Sequence, residues 1–155
     1  MNPRELDLLH LTTALRTQMM DSLTDADLAF TFPNNPTLGE LCRGMGDVER
    51  AYIDSFKTFK HSWDMRNTEP GLETSVERLK TWYKALDEEF DTVLKAIPDG
   101  DFQTKMIDRG GGFILPLGGQ FHTYREALLI FCGKCSVYLR AMGKPLSGQF
   151  QDWIG

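Results

Sequence analysis

The feature that most constrains this fold is a set of four helix-start signals, each followed by apolar residues at helical spacing. In the second signal, Thr37 and Glu40 form a capping box, in which each side chain can bond to the backbone amide of the other residue. Apolar residues then recur every three or four positions, which predicts one amphipathic helix up to about residue 59. These residues are Leu38, Leu41, Met45, Val48, Tyr52, Phe56 and Phe59.

The other three signals predict three further helices. The first helix has Asn2 as its N-cap, followed by a proline at the first helical position. The third begins with the capping box at residues 74–77 and stops before Pro98, which cannot continue a helix. The fourth begins with the box at residues 123–126 and ends at Gly143. The first helix carries its apolar stripe on Leu8, Leu11, Leu15 and Met19.

The segments between these helices are turns and loops. Residues 24–28 carry a weaker start signal and predict one short helical turn before the prolines at 33 and 36. Residues 98–122 lose the helical period and collect glycine, which predicts a long structured loop with room for a short hairpin. Four helices, each about 30 Å long and with one apolar stripe, favour side-by-side packing. The sequence therefore predicts an all-α, four-helix bundle that forms a single domain over residues 1–155.

Charge and composition exclude several classes of partner. The formal charge is −5 and no stripe of Lys and Arg is present, so we expect no nucleic-acid partner. No stretch approaches the roughly 18 apolar residues of a membrane span, so we expect no membrane partner. Residues 1–7 lack an apolar secretory core, which predicts a cytoplasmic protein. The three cysteines form an odd set, for which reduced thiols are the default.

Two segments, residues 37–49 and 132–145, resemble the DinB/YfiT-like superfamily of metalloenzymes. The likeness extends from about residue 4 to residue 146 and includes the Leu-Thr-Asp-Ala-Asp-Leu segment after the first helix. The resemblance implies a four-helix bundle, a homodimer as in many members, and a divalent zinc or nickel ion. In the family, one histidine of the second helix and a His-x-x-x-His pair of the fourth hold this ion. Residues i and i+4 share one helix face, so two imidazoles there can converge on a metal.

Matched to this sequence, the three histidines of the family fall on Gly44, Ala127 and Phe131, and a family glutamine falls on Lys134. Because none of the first three side chains can ligate a metal, we expect a degenerate metal site with no metal and no cofactor. The resemblance then implies a small-molecule-binding or regulatory protein. Its expected pocket is bounded by Gly44, Ala127, Phe131, Asp47, Lys134 and Glu40.

Several alternatives remain for this pocket. Asp47 and Lys134 could instead form an interhelical salt bridge over a repacked core. The chain could also be a metal-dependent or acid–base enzyme, of the thiol-dependent transferase or hydrolase type, that uses substitute ligands. A purely structural dimer, with Phe131 filling the space beside Gly44, is a third possibility. The candidate substitute ligands are Glu40, Asp47, His122 and Glu126, although His122 is expected to precede the fourth helix.

Other residues that could carry chemistry have simpler interpretations. Cys132 and Cys135 match the C-G-x-C form of dithiol oxidoreductases, but they lie inside the predicted fourth helix rather than at its N-terminus. We interpret them as buried helical cysteines. His10 and His61 have no second ligand at metal spacing and are expected at the surface or its boundary. Four apparently exposed aromatic residues could form a dimer interface: Phe59, Trp63, Phe150 and Trp153.

Overall fold

The computed structural model describes residues 3–155, with side chains from residue 4 onward, and it confirms the all-α fold. The predicted N-cap, Asn2, lies outside the described residues. Four long helices, α1, α2, α3 and α5, form the bundle, and a two-stranded antiparallel sheet lies at one end. The elements are α1 Pro3–Asp21, α2 Leu38–Thr58, α3 Val76–Lys95, α4 Asp101–Thr104, β1 Met106–Asp108, β2 Ile114–Pro116, α5 Leu117–Ala141 and α6 Gly148–Ile154.

The helix starts of α2 and α3 follow from their capping residues. At the start of α2, the Thr37 hydroxyl accepts a hydrogen bond from the Glu40 amide, and the Glu40 carboxylate accepts one from the Thr37 amide. Helix α3 begins one residue later than the predicted box, because Ser75 rather than Thr74 caps it. Thr74 belongs to a 3₁₀ turn, Leu72–Thr74. A second 3₁₀ turn, Asp25–Ala29, forms the short helical turn that the sequence predicts before the prolines.

The buried face of α1 differs from the predicted apolar stripe. Leu8 and Leu11 are 39% and 45% exposed, whereas Leu9, Thr12 and Arg16 are buried. Helix α1 is rotated about its own axis relative to the predicted orientation, because the Arg16 side chain points into the bundle and pairs with carboxylates of α2 and α3. The prediction of a stripe through Leu8 and Leu11 is therefore wrong.

Helix α5 begins at Leu117, earlier than the predicted start at Thr123. A Cβ atom on Gly118 would lie 3.2 Å from the Phe102 ring, so a glycine permits this close approach of α5 to α4. This contact and the buried Leu117 stabilise a helical turn for which the sequence carries no local start signal. His122 consequently lies within α5 rather than before it. Residues 110–112 have positive φ and form the turn between β1 and β2.

The long connection between α2 and α3 runs back along the bundle. The Tyr83 hydroxyl donates to the Cys42 carbonyl, and farther along both helices Arg50 pairs with Glu89. Since both partners advance together, α2 and α3 point in the same direction. Residues 59–75, which we call the strap, return along α2, and Asn67 lies against the middle of that helix. The helices therefore run up, down, down and up.

Each bundle helix packs on two neighbours. Helices α1 and α2 both contact α3 and α5, so α1 and α3 form one side of the bundle and α2 and α5 the opposite side. The terminal helix α6, which was not predicted from the sequence, packs on α1 and α5. It buries Phe150, so the expectation that this aromatic residue is exposed is wrong. Within residues 3–155, no helix combines the length and apolar character needed to cross a bilayer.

Candidate functional site

A recess of about 380 Å³ lies beside Gly44, between α2 and the strap. Three of the six predicted pocket residues line it: Glu40, Gly44 and Asp47. The other three, which are on α5, do not line it: Ala127, Phe131 and Lys134. Its remaining walls come from α2 and from the strap, including the 3₁₀ turn within the strap, namely Arg43, Arg66, Asn67, Thr68 and Glu73.

Gly44 leaves open space at the position where the resemblance places the first metal ligand. A Cβ atom on Gly44 would have no neighbouring heavy atom within 4 Å. Ala127 is half-buried and Phe131 is buried in the core, and neither has a nitrogen, oxygen or sulfur atom in its side chain. The residues at these three positions therefore do not fit a bound metal ion.

Asp47 is the most constrained carboxylate of the recess. The residue is 7% exposed, and its Oδ1 accepts a hydrogen bond of 2.6 Å from the Asn67 amide of the strap. Burial raises the pKa of Asp47, although the Asn67 amide and the nearby Arg66 and Arg43 charges oppose this shift. The alternative salt bridge to Lys134 is wrong, because Asp47 faces the strap and Lys134 is exposed on α5.

The two arginines of the recess differ in their partners. Arg43 pairs with Glu73 at 2.6 Å and also donates to the Asn67 carbonyl. Arg66 donates to two backbone carbonyls of the strap, and no described carboxylate lies within ion-pair distance of it. Glu40 is engaged in capping α2. Arg66 is thus the cation of the recess that remains able to pair with an acidic group of a ligand.

The candidate substitute metal ligands do not come together. Glu40 and Asp47 line the recess, whereas His122 and Glu126 are exposed on α5 and do not. His10 is also exposed and bonds to Asp91 at 3.1 Å. Over the described part of the chain, no three His, Cys, Asp or Glu side chains form a group that could hold a metal ion.

The bundle interior contains a buried ionic network that was not predicted from the sequence. Arg16 pairs with Glu49 and with Asp87, and its guanidinium group lies 4.0 Å from the centre of the Tyr83 ring. The second oxygen of Glu49 and the Tyr124 hydroxyl are both buried, and neither has another hydrogen-bond partner among residues 4–155; burial and the charge of Glu49 raise the pKa of Tyr124. Burial raises the pKa of Glu49 to about 7.

A second polar network surrounds His61 at the start of the strap. The Gln120 amide nitrogen donates to Ser55 and to His61 Nδ1, and Arg109 donates to the Gln120 oxygen at 2.9 Å. His61 is only 8% exposed and is therefore buried, rather than at the surface or its boundary as expected. Burial and the charge of Arg109 lower the pKa of His61 to about 4. The imidazole is therefore neutral near pH 7, and its buried Nε2 has no hydrogen-bond partner among the described side chains and backbone.

The cysteines lie in the core rather than at a helix N-terminus. Cys42, Cys132 and Cys135 are all buried. Burial raises the pKa of Cys132 to about 12 and also raises that of Cys135. This environment opposes the thiolate form on which dithiol exchange depends.

The aromatic residues considered for a dimer interface occupy different environments. Phe59, Trp63 and Trp153 are exposed, in contrast to Phe150. Trp63 lies edge-on to the His61 ring, with 4.2 Å between ring centres, and Arg109 lies 5.8 Å from its centre. The exposed ring of Trp63 therefore covers the polar network around His61.

Comparison with known proteins agrees with the helical fold. A DinB-like protein from Bacillus cereus ATCC 10987 has a similar structure, with a TM-score of 0.78 and 21% identity over 93% of this chain and 94% of that one. A DinB-like protein from Bacillus subtilis gives a TM-score of 0.70 and 13% identity over 90% of this chain and 97% of that one. No curated protein matches the sequence significantly. The family model of the DinB superfamily matches residues 8–132, and the chain therefore belongs to the DinB superfamily.

Proposed function

We propose that this chain is a divergent member of the DinB superfamily that binds a small polar molecule in the recess beside Gly44 without using a metal ion. The observation that carries the proposal is the open space at Gly44, where the resemblance places a ligand of the family's metal. The metal would have no donor atom at Gly44, Ala127 or Phe131. Gly44 is exposed, so without a side chain at this position the recess is open to a ligand from solvent.

The dimensions and charges of the recess support this function. Its volume of about 380 Å³ falls within the roughly 300–1,000 Å³ of small-molecule sites. Arg66 can pair with an acidic group of the ligand, while Asp47 and the Thr68 hydroxyl supply polar partners. Because Asn67 holds the strap against Asp47, the two walls are already in place before a ligand binds.

Two measurements test the proposal. After exposure to zinc or nickel and removal of free ions, metal analysis should show far less than one ion per chain. A screen of metabolite-sized compounds by ¹H–¹⁵N NMR should find ligands that shift the amides of Gly44, Asn67 and Thr68.

Matched glycine variants localise the binding. The variant Gly44→Trp should abolish these shifts because the indole fills the recess. Gly133→Trp is the control, since Gly133 is also a helical glycine with open space at its Cβ position. One tightly bound metal per chain that is lost in Asp47→Ala, or ligand shifts that persist in Gly44→Trp, would overturn the proposal.

A second candidate is acid–base catalysis in the same recess, and the environment of Asp47 favours it. A carboxyl group whose pKa is raised by burial can hold or accept a proton closer to neutral pH. This candidate predicts that Asp47→Asn still binds the ligand found by NMR but no longer converts it. Unchanged ligand after prolonged incubation with the wild-type protein would eliminate the enzymatic alternative and leave binding alone.

A further inference from the structure

Helix α5 exposes apolar side chains on the side that points away from the bundle. Ile130 and Val137 are 60% and 55% exposed, and Ile130 is the most exposed large apolar residue within residues 4–155. The two residues are seven positions apart, so they lie on the same side of α5, two turns from each other. By contrast, helices α2 and α3, both described in full, expose no large apolar side chain. Helix α5 therefore departs from the polar outer face of an ordinary surface helix.

The contacts of α5 within the chain leave this side uncovered. Arg125 bonds to Thr12 of α1 at 3.4 Å, and Gln120 bonds to Ser55 of α2 at 2.9 Å. Around the helix axis, Ile130 lies about 140° from Arg125 and about 80° from Gln120, in the outer arc between the two neighbouring helices. We call the residues of this arc the outer face of α5. They are Glu126, Ala127, Ile130, Gly133, Lys134 and Val137.

Two opposite charges are placed symmetrically about Ile130. Glu126 lies one turn before it and Lys134 one turn after it, and both are exposed. Around the helix axis they lie about 40° to opposite sides of Ile130. They are about 12 Å apart along α5, which is too far for them to pair with each other. No ion pair joins either of them to any of residues 4–155. Both charges are therefore available to a partner molecule.

The outer face of α5 is complementary to a second copy of itself. A two-fold axis through Ile130, perpendicular to the helix, exchanges both the ends and the flanks of α5, so Glu126 meets Lys134 of the partner subunit, twice. Ala127 meets Gly133 of the partner subunit, and a Cβ atom on Gly133 would have no heavy atom of its own chain within 4 Å, so the two backbones can approach closely. A parallel pair of helices would instead place each charge level with the same charge. The charges therefore favour the antiparallel pair.

We propose that the outer face of α5 is the interface of a homodimer, in which two copies of α5 pack antiparallel across a two-fold axis at Ile130. The dimer covers Ile130 and Val137, and the two pairs of Glu126 with Lys134 set the direction and register of the helices. None of the aromatic residues considered for a dimer interface lies on α5. The recess beside Gly44 is formed by α2 and the strap, so the two proposals can fail independently.

The first test is the oligomeric state of the full chain. One pair of helices buries less surface than the roughly 800 Å² per partner of a stable interface, so we expect a dissociation constant in the micromolar range. Sedimentation velocity between about 1 µM and about 1 mM should show monomers converting to dimers. Ile130→Glu should remain monomeric over this range, because it places two carboxylates at the axis. Ile114→Glu is the matched control, since Ile114 is 52% exposed on β2, outside this face.

Exchanging the charges tests the register of the two helices. Lys134→Glu should raise the dissociation constant about ten- to a hundredfold, because two attractive pairs become repulsive. The double variant Glu126→Lys, Lys134→Glu should return it to within about threefold of the wild-type value, because the two charges are again opposite. Gly133→Trp should also prevent dimerisation while leaving the recess beside Gly44 open to its ligand. Circular dichroism establishes that each variant is folded.

Three outcomes would overturn the proposal. The first is a wild-type chain that stays monomeric over the whole concentration range. The second is a dimer that Trp153→Ser abolishes and Ile130→Glu leaves intact, which would assign the interface to the exposed aromatic residues instead. The third is a double charge variant that dissociates as readily as Lys134→Glu, since Glu126 and Lys134 would then not be in contact across the interface.

Discussion

Arg16 of α1 and Glu49 of α2 form an ion pair inside the bundle, where their side chains are 1% and 0% exposed. Asp87 of α3 accepts a second hydrogen bond from Arg16, so the network joins three of the four long helices. Removing a charge from water costs several kcal/mol, and only its partners offset this cost. Each member of the network therefore depends on the others.

Replacing Arg16 with methionine should strongly destabilise the fold. Arg16→Met retains an apolar side chain of similar length but leaves Glu49 buried without its cation, and breaking a buried pair in this way costs about 3–5 kcal/mol. Urea denaturation followed by circular dichroism measures the free energy of unfolding. Arg140→Met, at an exposed position in the last turn of α5, should change it little. A loss below about 1 kcal/mol in Arg16→Met would show that the network is not a stabilising element.

The titration of Glu49 should make stability depend on pH. Burial raises its pKa from 4.5 to about 7, so the folded state favours the protonated form. The contribution of Glu49 is complete below pH 4.5 and is lost as pH rises to 7, by about 3 kcal/mol. The free energy of unfolding of the wild-type protein, minus that of Glu49→Gln, should fall across this interval. A difference that is constant with pH would contradict this assignment.

His61 should have the opposite dependence. Its pKa is about 4 in the folded protein instead of 6.5, so folding favours the neutral imidazole. Its contribution is present above pH 6.5 and is lost as pH falls through 4. Relative to His61→Phe, the wild-type protein should therefore lose stability on acidification. His122→Phe, at an exposed position, is the control. Parallel stability curves for wild type and His61→Phe would rule out this effect.

The parts of the fold that could be predicted from the sequence are those specified by local signals. The capping pair Thr37 and Glu40 and the apolar spacing on α2 involve neighbouring residues, and α2 forms where they indicate. The buried face of α1 could not be found in this way. Arg16 is buried because Glu49 and Asp87 pair with it. These partners are 33 and 71 residues away in the sequence, and no periodic pattern of residues indicates such a distant pair. The one available signal was Glu49, a charged residue at helical spacing from the apolar Met45 and Tyr52.

Part of the candidate site could also be predicted, because it depends on the spacing of residues within one helix. Glu40, Gly44 and Asp47 lie on one face of α2, so their spacing alone brings them together. The opposite wall is formed by the strap, and its register on α2 is set by the bond between the Asn67 amide and Asp47. Because every residue except proline has a backbone amide, the sequence does not indicate which amide of this long connection bonds to Asp47. The recess therefore opens toward the strap rather than toward α5.

The cysteines should be unreactive in the folded protein. A thiol whose pKa is about 12, as for Cys132, is almost entirely protonated at pH 8, and the core also excludes the reagent. With Ellman's reagent, the native protein should show almost no reaction over minutes, and all three thiols should react once urea unfolds the chain. Rapid modification of one thiol in the native state would revive the dithiol interpretation of Cys132 and Cys135.

Restoring three histidines should create a metal site if the residues have been matched correctly to the family. Positions 127 and 131 are one turn apart on α5, and α2 packs against α5 in the opposite direction, as the contacts between Gln120 and Ser55 and between Tyr124 and Tyr52 show. The triple variant Gly44→His, Ala127→His, Phe131→His should bind about one zinc ion per chain, measured by metal analysis after desalting. The double variant that keeps Gly44 should bind zinc more weakly, because it lacks one ligand. A folded triple variant with no bound zinc would show that these positions do not converge, and it would remove the basis for calling this chain a metal-free relative.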